Sequence, residues 1–208
     1  MNKNIEKLKD LEAEFLESYP KGFEDEEILK IIKRFKSEKF EEEVRVLFDK
    51  SNFTNPDLVC TNFLKIVSKS PLISLFEKPK LRDAINQMGM YEKDMLSISI
   101  YDFLYGSKKN AIETMVEILS KYRLAKWTII TLIPYYFNRK KEYFIKPTTT
   151  KNILNYFETE NLIYKPTPTF EFYKGYKKFL DSLKKEANKT LTKDNAGFTG
   201  FFKMSLEN

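Results

Sequence analysis

Arg139, Lys140, Lys141, Lys146 and Lys151 stand among Tyr135, Tyr136, Tyr143 and Phe144, with Lys165 downstream. Cations interleaved with aromatic rings are the residue types that track a phosphate backbone while stacking on bases. The competing reading is that Tyr143 and Ile145 alternate toward a core and NRKK (Asn138–Lys141) is a solvated turn; the residues favour this for the rings and leave the basic turn as a contact surface. A second set, Lys126, Trp127, Tyr164, Tyr173 and Asp194, holds the groups a cleft would have to bring together for acid or amine chemistry. Lys126 beside Trp127 would act as an amine nucleophile only if buried, and a lysine in such a setting more often threads its stem along apolar surface and leaves the ammonium in water.

Most other chemistries are closed to this chain. It has no histidine and one cysteine, Cys60. The commonest general base near neutral pH and the commonest transition-metal ligand are therefore missing, as are zinc fingers and Ser-His-Asp or Cys-His nucleophilic systems. The six glycines form no GxxxxGK[ST] or GxGxxG pattern, which removes the P-loop and dinucleotide fingerprints. Acids are plentiful, but EDEE (Glu24–Glu27) and EEE (Glu41–Glu43) point in several directions at helical spacing and read as solvated faces. Pro56-Asp57 could open a nuclease-like acid motif, yet no later acid stands two residues before a lysine. No cofactor and no metal are expected.

Charge is unevenly distributed. Residues 1–50 carry 11 Lys/Arg against 14 Asp/Glu, residues 51–107 carry 6 against 6, and residues 108–208 carry 19 against 10. The basic half favours an anionic partner such as DNA or RNA. With 42% hydrophobic and 32% charged residues, a chain of 208 residues can bury a substantial core. The longest apolar window, Trp127 to Phe137, is too short to span a bilayer and contains Pro134. The acidic N-terminus does not resemble a signal or transit peptide and the lone cysteine suits a reducing compartment, so the expected location is the cytoplasm.

The elements that must hold these residues are mostly helices. Ile5, Leu8, Leu11, Phe15, Leu16 and Tyr19 recur at helical spacing, as do Ile28, Ile31, Ile32 and Phe35, then Phe40, Val44, Leu47 and Phe48. Asn55-Pro56 predicts a capped helix to about Ser68. Pro79 precedes another, Glu92–Tyr105 ends at Gly106, and Ser107 caps a further one through Tyr122. WTIITLIPYYF fits a buried helix or a buried strand, whereas EYFIK followed by proline is a strand candidate. Thr148–Thr150 would cap a short helix from Lys151 to about Thr159. NLIYKPTPTFEFY reads as extended because its prolines remove donors and bias their neighbours away from helix. A last long helix carries Tyr173, Tyr176, Phe179, Leu180 and Leu183, and the tail from Asp194 to Met204 is apolar enough to pack back onto the body.

The expected fold is therefore mainly α: a helical array with a small β or extended element in the C-terminal half. Its acidic-to-neutral part would span residues 1–106. A basic, aromatic-rich part with a hairpin-like element would span 107–208, unless 1–208 is one domain. TTTKNILNYFETENLIYKPTPTFEFY has the outline of a recognition helix and wing, except that EYFIKP occupies the place of the preceding helix and turn. Over residues 125–205, Lys126, Trp127, Lys146, Pro147, Tyr164 and Tyr173 resemble a family of uncharacterised bacterial proteins. The resemblance implies a bacterial origin and carries no activity. The functional expectation is non-catalytic binding, to nucleic acid through the basic C-terminal surface. A protein-interaction module using the acidic helices, or an enzyme with acids and lysines converging in a cleft, are the alternatives.

Overall fold

The computed structural model describes residues 3–35 and 37–207. Among the described residues there are α-helices and short 3-10 turns but no strand. The chain forms two compact units: residues 1–37, 139–164 and 171–208 make the first, and residues 38–138 with 165–170 make the second.

The second unit contains α3 (Ser37–Leu47), α4 (Pro56–Lys69), α5 (Glu77–Gln87), α6 (Met90–Tyr105), α7 (Lys108–Lys121) and α8 (Trp127–Phe137). As the sequence predicts, the Asn55 side chain accepts from Leu58 N with Pro56 in the first turn, and Ser107 Oγ accepts from Asn110 N. Each satisfies a backbone amide that the helix itself leaves unpaired. Gly106–Ser107, where the sequence shifts in composition, lies between α6 and α7, which pack against each other inside this unit.

WTIITLIPYYF is the helix α8, with Trp127 and every residue from Ile129 to Tyr136 buried. Burial on all sides removes the polar face from which a period is read. Pro134 within the helix cannot donate to the carbonyl four residues back. The start of α8 is anchored twice: Lys126 Nζ lies 2.7 Å from Glu77 Oε1, and the Trp127 indole donates to the Lys165 carbonyl at 2.8 Å.

The first unit contains α1 (Lys3–Ser18), α2 (Glu26–Phe35), α9 (Pro147–Tyr156), α10 (Phe170–Glu186) and α11 (Asn195–Leu206). Its core joins α1 to α11 through the edge-on contact of Phe15 with Phe201. Phe198, Phe201 and Phe202 of the tail are fully buried. Each such ring contributes up to about 3 kcal/mol by leaving water. Gly22, at φ +55°, sits where a Cβ would meet Thr190 Oγ1 at 2.5 Å. Both its conformation and its space exclude a side chain.

Two details of the C-terminal half differ from expectation. Glu142–Lys146 forms no strand, so the hairpin-like element is absent from the described residues. Instead, the Glu142 carbonyl accepts from Asn195 Nδ2 at 3.2 Å and the Tyr143 hydroxyl donates to Asp181 Oδ1 at 2.9 Å. The short helix begins at Pro147, which needs no donor in the first turn. Thr149 and Thr150 are therefore buried helical residues rather than caps.

Candidate functional site

The basic turn begins at Arg139, whose carbonyl accepts from Asn195 N at 2.9 Å. Its guanidinium Nη1 lies 3.7 Å from Asp194 Oδ2, and the two side chains are only 13% and 18% exposed. Asp194 also caps α11, its Oδ1 accepting from Gly197 N at 2.7 Å. Arg139 and Asp194 thus serve the docking of α11: the arginine is withdrawn from the contact surface, and the aspartate is committed to the arginine and the helix cap. Lys140 and Lys141 are exposed on the turn. Lys146 is half-exposed and lies 3.7 Å from Glu207 Oε2, a carboxylate that also accepts from Thr149 Oγ1. Lys151 is exposed, with its ammonium 5.2 Å above the Tyr164 ring. Lys165 is exposed in the second unit, as is Lys126.

The tyrosine rings around the turn face inward, whereas Phe144 is half-buried. Tyr135, Tyr136 and Tyr143 are buried, as are Trp127 and Tyr173 from the expected cleft set. Trp127 belongs to the second unit and Tyr173 to the first, each within its own core. Alternation of Tyr143 and Ile145 toward the core holds. None of these tyrosines offers a face to a base.

Beneath the turn lies a buried polar network. Glu142 Oε2 accepts from the Tyr173 hydroxyl, and Lys184 Nζ donates to Asn195 Oδ1 at 2.8 Å. Lys177 Nζ lies 2.7 Å from Asp181 Oδ2 and 5.6 Å from the Tyr143 ring centroid. Burial lowers the Lys184 pKa, with Asp194 and Asp181 acting in the opposite sense. Burial also raises the tyrosine pKa values at positions 143, 173 and 176, reinforced by Asp181 at the first and Glu142 at the second. Glu142, Tyr173 and Asn195 are all buried and hydrogen-bonded. Such satisfied groups fix the segment from Glu142 onto α10 and α11.

Two features outside the sequence-predicted set stand out in the same unit. On α10, Lys174, Lys178 and Lys185 are exposed. At 100° per residue they fall within about 40° of arc. Phe172, Tyr173, Tyr176, Leu180 and Leu183 occupy the opposite, buried face, and Glu171, Ser182 and the half-exposed Asp181, which pairs with Lys177, border the lysine stripe. The helical period of α10 carries this signal in the sequence, on the side away from its aromatic residues. The second feature is a groove of about 280 Å³ lined by Lys151, Leu154, Asn155, Thr159, Leu162, Ile163 and Tyr164. It is assembled by a loop folding back on a helix, and of its lining only Lys151 and Tyr164 belong to the sequence-predicted residues.

No known protein family, curated protein or solved structure matches the chain. Among the described residues no group of three or more acids and cysteines is placed to hold a metal ion, and no helix is long and apolar enough to cross a membrane.

Proposed function

We propose that the protein is a non-catalytic binding protein that contacts nucleic acid through lysines of its first unit. The observation that carries this is the α10 stripe of Lys174, Lys178 and Lys185, exposed opposite a buried aromatic face. The turn bearing Lys140 and Lys141 is continuous with the segment that Tyr143 and Asp181 bind to the same helix. Lysines held on a rigid helix and an adjacent turn neutralise phosphates and release counterions without needing a pocket. Arg139 and Lys146, whose charges are answered by Asp194 and Glu207, contribute less.

Fluorescence anisotropy with labelled oligonucleotides, titrated at several salt concentrations, tests the reading. Binding should weaken steeply with salt. Lys140→Glu and Lys141→Glu together with Lys178→Glu and Lys185→Glu should reduce both affinity and the salt slope, by about 0.7–0.9 for each phosphate no longer neutralised. Absence of binding at low salt, or an affinity indifferent to these four charges, would remove nucleic acid as the partner.

A further inference from the structure

The groove beside α9 combines groups that the lysine stripe lacks. Lys151 supplies a cation that is exposed and resting over a ring, 5.2 Å from the Tyr164 centroid. Tyr164 is half-exposed, and the edge-on contact with Phe172 at 5.8 Å holds its plane. Leu154, Leu162 and Ile163 provide apolar walls, and Ile163 is 71% exposed at the rim. Asn155 and Thr159 add an amide and a hydroxyl. Gly175 on α10 lets the Leu162 loop lie close, since a Cβ there would meet Leu162 Cδ2 at 2.8 Å. Nearby Glu158 is ion-paired with Lys3 at 2.6 Å and Lys7 at 3.2 Å, which offsets its repulsion of an anion.

We infer that this groove takes a single unpaired nucleotide, with its base against the Tyr164 ring and its phosphate on Lys151. A flat heterocycle satisfies the apolar walls and the ring together. The Asn155 amide presents a donor and an acceptor suited to a base edge, and the Thr159 hydroxyl, which donates to the Leu154 carbonyl at 3.4 Å, keeps its oxygen as an acceptor. The Lys151 ammonium now covering the ring is on a flexible, exposed side chain, free to follow the phosphate as the base slides in. About 280 Å³ is at the small end of ligand sites, enough for one heterocycle and too little for two. A base inside a duplex cannot reach the ring, so the groove distinguishes unpaired from paired strands while the lysine stripe does not. The same chemistry is offered by a nucleotide within a strand or by a free one. The inference rests on the nucleic-acid reading above for its polymeric form.

The experiment compares a labelled single-stranded 12-mer, a blunt duplex of the same sequence and a free nucleoside monophosphate. The proteins are the natural chain, Tyr164→Ala, Tyr164→Phe and Asn155→Ala, with circular dichroism confirming that each is folded. Tyr164→Ala should weaken single-strand binding about tenfold and leave duplex binding within twofold, the scale on which one base–ring stack acts. Tyr164→Phe keeps the ring and should behave as the natural chain; Asn155→Ala should cost several-fold on the single strand only. Saturable binding of the free nucleotide, abolished in Tyr164→Ala, assigns the site to free nucleotides if neither oligonucleotide binds; in that case the inference stands and the polymer reading falls. Single-strand selectivity without free-nucleotide binding assigns it to a strand. Equal weakening on single strand and duplex, no effect of Tyr164→Ala on any ligand, or no binding of either single strand or nucleotide would overturn the inference. Duplex binding that survives such a result leaves the lysine surface as the partner site.

Discussion

Three tyrosines of the first unit make a sharp prediction about alkaline stability. Tyr143, Tyr173 and Tyr176 are 1%, 2% and 2% exposed. Burial is the main cause raising each above the ordinary tyrosine value of 10.0. The folded state therefore retains protons that the unfolded chain releases. The stabilisation is complete below pH 10 and is lost as pH rises above it. At pH 11 each unfolded tyrosine gains roughly 1.4 kcal/mol by ionising, so the three together cost the folded unit about 4 kcal/mol. That is a large fraction of the ~5–15 kcal/mol that holds an ordinary domain. Urea titrations at pH 8, 10 and 11, followed by tyrosinate absorbance at 295 nm, should show a midpoint falling steeply only in the last step. In Tyr173→Phe, stability at pH 8 should drop by about 1–3 kcal/mol, because Glu142 loses its donor. The loss between pH 8 and 11 should then shrink by roughly 1.4 kcal/mol, the share of one tyrosine. If all twelve tyrosines ionise near pH 10 while the circular dichroism is unchanged, or if Tyr173→Phe leaves the alkaline slope unaltered, the burial argument is wrong.

Two further outcomes can be measured. Asn195→Ala removes the acceptor of Lys184 and the donor to the Glu142 carbonyl; it should lower stability by about 2–3 kcal/mol in urea denaturation, and a loss under 0.5 kcal/mol would show that water replaces both bonds. Burial pushes the Cys60 thiol up to about 12, so iodoacetamide at pH 8 should label it only after unfolding; rapid labelling of the folded chain would contradict its burial.

Local grammar was readable where a single residue type settles a local question. Asn55-Pro56 and Ser107 each supply an acceptor at the place a helix needs one, and the phenylalanines of the tail could only be buried. The α8 segment was not readable, because a helix buried on all sides has no polar face to set its period. Glu142–Lys146 shows the complementary gap. Alternation identifies which side chains face inward but not their partners, and here the partners are side chains of α10 and α11, 31 to 53 residues away. The lysines of the basic turn were visible, but their availability was not: Arg139 is answered by Asp194 only because the tail folds back.

The order of segments in the two units bears on how the chain folds during synthesis. Residues 38–138 emerge as one block holding nearly all of the second unit, so it can collapse while translation continues. Helix α1 must instead wait for about 60 further residues, several seconds at roughly 5–20 residues per second, before Phe201 arrives against Phe15. Over that interval the apolar side of α1, including Leu8 and Leu11, which the folded chain buries, lacks the tail that packs on it.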